Sequence, residues 1–183
     1  MTKDIIMAGF GGQGILMIGN LLALAAMEEG KNVTYMPSYG VEMRGGTANC
    51  TVIVSDEEIG APIVMKPASL VIMNGPSLDR FLPNLQPGGE LVINSSLVDA
   101  GRVNRTDVRL FPVAADEIAR EKIGSRQMAS MIALGAYVAI SGVVRIETLI
   151  DCLPNVVSKK YEKLIPMNVN ALKEGSALAG IHA

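Results

Sequence analysis

A short aliphatic run, Asp4 to Ala8, breaks into Gly9-Phe10-Gly11-Gly12-Gln13-Gly14, and the glycines give way at once to Ile15 to Glu29, a stretch apolar on all sides. This order limits the fold more than any other feature. Five residues, four of them apolar, are too few for a helix but enough for a strand, six glycine-rich residues make a tight turn, and an all-apolar segment of helical length must be buried. Gly30 stands where a helix stops. Asn32 to Met36 then resumes a β-rich pattern, so the chain opens with a β-α-β unit. Its two strands are expected to be parallel and joined by a right-handed crossover.

The rest of the chain repeats the theme. Ala48 to Ser55 alternates Cys50, Val52 and Val54 with Thr51, Ile53 and Ser55, the period of a strand with two unlike faces. Asp56-Glu57-Glu58 turns the chain. Leu70 to Met73 and Leu91 to Ile93 are unbroken aliphatic runs that suit central strands, with a short helix expected over Ser77 to Leu85. Val108 to Val113 is one more strand, and Ala114 to Ile123 an amphipathic helix closed by Gly124. Gln127 to Ile140 has almost no charge and many small residues, Gly135 among them, so it reads as a helix buried on most sides within the chain and open to close backbone approach. Ile146 to Leu153 and Ser158 to Gly175 are further helical segments, bounded or kinked at Pro154 and Pro166. Lys159, Lys160 and Lys163 form a solvated face. The expected architecture is an α/β fold of three layers, α/β/α, with a mainly parallel sheet and a Rossmann-like first β-α-β unit.

A chain of 183 residues suits a single domain over 1–183. With 49% apolar and 19% charged residues and a net charge of -2, it has the composition of a soluble globular protein, and no basic stripe argues for a nucleic acid partner. The start, Met1-Thr2-Lys3-Asp4, runs directly into a strand and has no signal-peptide pattern. The longest apolar stretches are interrupted by Gly, Asn or Ser and fall short of a membrane span. Eleven methionines and no tryptophan make aliphatic and thioether packing the rule, with some methionines suited to subunit contacts. Cys50 and Cys152 are far apart and lack metal-ligand spacing, which suits a reducing cytoplasm.

Two loops are suited to chemistry. Gly9 to Gly14 ends a strand and opens a helix, so its amides and the helix dipole favour an anion such as phosphate. Gly9, Gly11 and Gly14 match the dinucleotide spacing, but that fingerprint also expects an acid at the end of the second strand, where this chain reads Met36-Pro37-Ser38-Tyr39. Glu28 and Glu29 come too early. A tight turn that lets helix and sheet pack closely explains the glycines equally well. In the second loop, Pro37 to Gly46, the residues Tyr39, Gly40, Glu42, Arg44, Gly45 and Gly46 combine an aromatic ring, a carboxylate and a guanidinium with glycines. The inferred topology brings it to the same carboxyl edge of the sheet as the first. Arg44 offers a planar fork to phosphate or carboxylate, and Glu42 orients it or pairs across a subunit boundary; a plain surface ion pair between them is the competing account. His182, the only histidine, lies beside the C-terminus and is a poor candidate for catalysis. Cys50 reads as a small buried residue. No nucleophile-base arrangement and no cluster of potential metal ligands is present.

Taken together, Gly9-Phe10-Gly11-Gly12-Gln13-Gly14 before a helix and Ser38 to Ala48 leading into Val52-Ile53-Val54-Ser55-Asp56 resemble the gamma subunit family of 2-oxoacid:ferredoxin oxidoreductases. The likeness continues through Met128 to Gly135 and Asn170 to Gly175, over nearly the whole chain. It implies membership of a complex that decarboxylates a 2-oxo acid, passes the acyl group to coenzyme A and reduces ferredoxin. Thiamine diphosphate, Mg and iron-sulfur clusters are implied on alpha and beta partners, and on a delta partner where present; this chain lacks both the cysteine set and the Gly-Asp-Gly signature those cofactors need. The isolated chain is expected to be inactive. Gly11, Gly12, Gln13, Gly14 and Arg44 are then candidates for contact with coenzyme A phosphate or a partner, and Tyr39, Gly40, Glu42, Arg44, Gly45 and Gly46 for the interface. Among 2-oxoglutarate, branched-chain 2-oxo acids and pyruvate, 2-oxoglutarate is preferred. The competing accounts are a free-standing nucleotide-binding or regulatory module and a complete small dehydrogenase.

Overall fold

The computed structural model describes residues 1–39 and 46–179. β1 (Thr2–Phe10) sends Ile5 and Met7 to one face and Ile6 and Ala8 to the other, and all four are buried. There follow α1 (Ile15–Glu28), β2 (Asn32–Tyr39), β3 (Thr47–Ser55), β4 (Ser69–Ile72), α2 (Gly75–Phe81), β5 (Glu90–Asn94) and β6 (Arg109–Val113). The chain then turns helical with α3 (Ala115–Ile118), α4 (Ala129–Ser141), α5 (Ile146–Val156) and α6 (Ile165–Ala179). α3 runs on as a π turn to Ile123 before Gly124, and a 3-10 stretch, Lys159–Leu164, precedes α6, so the segment from Ser158 is not one continuous α-helix. Pro154 falls inside α5, which continues to Val156.

Among the described residues the strands form one sheet in the order β2-β3-β1-β4-β5-β6. β1, β4, β5 and β6 are parallel, while β3 is antiparallel to both β1 and β2. The expected α/β fold with helices flanking the sheet is therefore present, with one difference in its first unit. β1 and β2 run in the same sense but are not neighbours, because β3 lies between them. The connection over residues 40–46 is too short for a crossover, so β3 can only return antiparallel beside β2. Its alternation then places Cys50, Val52 and Val54 under α1.

Two apolar layers result. On one face α1 and α4 cover the sheet, and α5 and α6 pack outside them. On the other, Ile6, Ala8, Leu70, Ile72, Leu91 and Ile93 meet Leu78, Leu82 and Leu85 of α2 and the turn that follows it. Each fully buried aliphatic side chain of this kind contributes about 1.5–3 kcal/mol relative to exposure. α2 begins at Asn74, whose side chain accepts a 2.8 Å hydrogen bond from the Ser77 amide.

α4 is buried from Ala129 through Val138 because α6 covers the side turned away from the sheet. A Cβ on Gly135 would meet the Leu172 backbone, and one on Gly175 would meet the Ile132 backbone. As the residue number rises along one helix it falls along the other, so the two helices cross antiparallel with backbones in direct contact. The small residues of this segment thus serve packing within the chain. The methionines divide: Met7, Met73, Met128 and Met131 are buried, whereas Met1, Met27, Met36 and Met65 are exposed. Lys159, Lys160 and Lys163 are exposed as expected.

Candidate functional site

β1 continues into α1 on one face of the sheet, and its parallel neighbour β4 continues into α2 on the other. The chain thus diverges between the carboxyl ends of these two strands, the position where open α/β sheets carry their ligands. Gly9 and Phe10, expected in the turn, still pair with β3 as the end of β1, and the turn proper, Gly11 to Gly14, sits at this split.

Its conformation follows from contacts on both sides. The Gln13 carboxamide folds back: the Phe10 amide donates to its Oε1 at 2.6 Å, and its Nε2 donates to the Met73 carbonyl at 3.3 Å. The Gln13 amide donates to the Phe10 carbonyl at 3.1 Å. Gly14, which caps α1 without a side-chain bond, has φ of 79°. That left-handed value suits glycine, and a Cβ there would stand 2.6 Å from Ser130 Oγ. Ser130 is fully buried at the start of α4, and its hydroxyl has no hydrogen-bond partner among the described residues.

The second loop does leave the same edge. Tyr39 at the end of β2 is in register with Ala48, Phe10 is in register with Thr47, and the Gly11 amide donates to the Gly46 carbonyl at 2.9 Å. Gly40, Glu42, Arg44 and Gly45 lie outside the described residues, as does His182, and Tyr39 is described by its backbone alone. Because β3 separates β1 from β2, the Met36 to Tyr39 segment stands a strand farther from the glycine turn than the second strand of a dinucleotide fold, where neighbours are about 4.8 Å apart. That geometry works against a ribose-binding acid at this point.

A cleft of 680 Å³ opens from Gly12 and Gly14 along the outer side of α1. Leu16, Met17, Met128, Val156 and Leu164 give it apolar walls, and Asn20, Gln127, Ser158 and Asn168 add polar groups. Tyr35 closes one side, its hydroxyl donating to the Leu16 carbonyl at 3.0 Å. The volume is ordinary for a small-molecule site. Of the candidate residues, Gly12 and Gly14 face this cleft, while the Gln13 carboxamide is engaged with Phe10 and Met73. Sequence reading missed the cleft because its walls come from α1, β2, the approach to α4, the end of α5 and the segment entering α6, whose packing no local pattern reveals. Apart from Gly12 and Gly14, only Met128, inside the Met128 to Gly135 match, carried a signal.

Other candidates are structural. Cys50 is fully buried, contacts the Ile15 carbonyl at 3.6 Å, and burial pushes its thiol up to about 12. A thiol-alkylating reagent at pH 8 is therefore expected to leave Cys50 unlabelled in the native chain and label it after urea unfolding, read by intact mass; rapid native labelling would contradict the burial. Burial also raises the Cys152 thiol, and neighbouring Glu28, Asp151 and Glu29 add to the effect. Among the described residues no group of three or more His, Cys, Asp or Glu side chains is placed to hold a metal, and no helix is long and apolar enough to cross a membrane.

Residues 4–178 match the family described as pyruvate ferredoxin/flavodoxin oxidoreductase. The 2-oxoglutarate synthase subunit KorC of Methanocaldococcus jannaschii is 32% identical, over 98% of this chain and 95% of its own. The ketoisovalerate oxidoreductase subunit VorA of Methanothermobacter marburgensis is 37% identical over 92% of this chain, which spans only about a third (35%) of VorA. Among solved structures, the gamma subunit of a keto/oxoacid ferredoxin oxidoreductase from Geobacter sulfurreducens superposes with a TM-score of 0.86 at 27% identity, covering 100% of this chain and 98% of that one. The 2-oxoglutarate:ferredoxin oxidoreductase of Magnetococcus marinus, solved with 2-oxoglutarate, coenzyme A and succinyl-CoA bound, gives 0.88 at 25% identity over 98% of this chain and 31% of that one.

Proposed function

The chain belongs to the pyruvate ferredoxin/flavodoxin oxidoreductase family, and from that membership we propose that it is the gamma subunit of a 2-oxoacid:ferredoxin oxidoreductase, folded as one domain over residues 1–183. It acts in a cytoplasmic complex with alpha and beta, and where present delta, subunits, and is inactive alone. The complex oxidatively decarboxylates a 2-oxo acid to its acyl-CoA and reduces ferredoxin. Thiamine diphosphate, Mg and iron-sulfur clusters sit on the partners. The two cysteines of this chain, on β3 and α5, do not fit a four-thiolate cluster site, so no redox step is assigned to its own residues. 2-oxoglutarate is the favoured acid, supported by the match to KorC over nearly the full length of both chains.

The observation that carries the site reading is the convergence of both glycine loops on one sheet edge, joined by the Gly11 to Gly46 hydrogen bond. Tyr39, Gly40, Glu42, Gly45 and Gly46 serve assembly, and Phe10, 37% exposed beside the turn, adds apolar surface for it. Gly11 to Gly14 and Arg44 contact the phosphate-rich end of coenzyme A. The cleft leading away from Gly12 and Gly14 supports that role, as does the bound coenzyme A of the Magnetococcus enzyme.

The deciding experiment is Arg44→Ala in the assembled complex. Loss of a charge-assisted contact is expected to raise the KM for coenzyme A about tenfold or more, with the KM for the 2-oxo acid unchanged. Unchanged coenzyme A kinetics alongside subunit loss in native mass spectrometry would leave only the assembly role. If both stayed at wild-type level, Arg44 would have neither.

A further inference from the structure

We infer that Gln13 is a positioning residue: its carboxamide clamps the diverging ends of β1 and β4 and so fixes how Gly12 and Gly14 are presented to the cleft. The inference rests on the proposed role of the glycine turn and adds the device that sets its shape.

The β1–β4 ladder ends at Ala8 opposite Ile72, followed by one last bond from the Met73 amide to the Ala8 carbonyl at 2.8 Å. Beyond it the chains part to opposite faces of the sheet. Strand pairing can no longer satisfy the Phe10 N–H and the Met73 C=O. Gln13 supplies one acceptor to the first and one donor to the second. A carboxamide carries both on separate atoms at the end of one planar group. A carboxylate keeps the acceptor and places charge against a carbonyl, an aliphatic side chain offers neither, and asparagine is a methylene shorter. Gly9 makes room for the arrangement: a Cβ at that position would lie 2.6 Å from Gln13 Oε1, 2.8 Å from Ile15 Cδ1 and 3.0 Å from Met73 Cβ. The residue that looks most like a ligand donor in the turn therefore spends its side chain on the turn itself.

Gln13→Leu and the nearly isosteric Gln13→Glu should be examined in the assembled complex, with the second variant guarding against a folding defect in the first. Hydrogen–deuterium exchange at the Phe10 to Gly14 amides is expected to accelerate in both variants. Losing the bond to Met73, and in the leucine variant the bond from Phe10 as well, frees the loop and should raise the KM for coenzyme A about tenfold, while the KM for the 2-oxo acid and subunit retention stay at wild-type values. Unchanged exchange would overturn the clamp. Faster exchange with wild-type kinetics and assembly would overturn the positioning role. In that event Arg44→Ala separates the two claims: if it still raises the KM for coenzyme A, only the inference about Gln13 fails, and if it is silent too, the reading of the site falls with it.

Discussion

Gly135→Ala should lower the unfolding free energy by about 2–3 kcal/mol, although alanine is the better helix former by about 0.5–1 kcal/mol. The two effects oppose each other, and the structure decides which wins. The new methyl group meets the backbone of Leu172, not the end of a flexible side chain, so α4 and α6 must separate. Separation strips contacts from a seam that includes Ile132, Ala136, Ala171 and Leu172, all buried. Gly175→Ala, against Ile132, should cost a similar amount. The double variant should lose less than the sum, since helices already parted by one methyl accept the second more easily. Urea titration of the three variants tests this, and a loss below about 0.5 kcal/mol at both sites would show that the helices do not meet as described.

Gly14→Ala carries the second large effect, with a built-in control. A non-glycine residue at φ of 79° costs about 1–2 kcal/mol, and the clash with Ser130 Oγ adds to it. Removing that oxygen leaves Ser130 Cβ at 3.6 Å from the added methyl, an ordinary contact. Ser130→Ala alone should be neutral or mildly stabilising, because it deletes a buried hydroxyl that lacks a partner. Combined with Gly14→Ala it should recover most of the steric part and none of the dihedral part. Thermal unfolding of the four proteins in this cycle gives the coupling directly. Zero coupling would mean that α4 does not abut the turn.

The sequence disclosed some of this and hid the rest for physical reasons. Strands with aliphatic runs, such as Leu70 to Met73, were legible because burial on both faces leaves no polar interruption. The alternation around Cys50 assigned both faces of β3 correctly. The insertion of β3 between β1 and β2 was not legible, because strand order depends on which edge a returning hairpin finds free, and no residue encodes that locally. Gln13 misleads for a related reason. In a glycine-rich turn an amide side chain reads as a ligand group, and only the position of Met73, sixty residues on, shows that it has a partner within the fold. The cleft beside α1 needed Tyr35 of β2, the approach to α4, the end of α5 and the start of α6 in place at once. For Arg44 and Glu42 the chemistry rests on residue type and on where their loop is anchored.

The hydrogen bond from the Gly11 amide to the Gly46 carbonyl has an evolutionary consequence. It joins the two loops through main-chain atoms alone, so ordinary replacement of side chains in either loop cannot delete it. Side chains in either loop can therefore change in homologous chains while the loops remain tied, and what the loops contact can be altered without rebuilding the frame. Only a change that removes the amide itself, such as Gly11→Pro, would cut the tie, which makes that one position a poor place for drift and the side chains around it a good one.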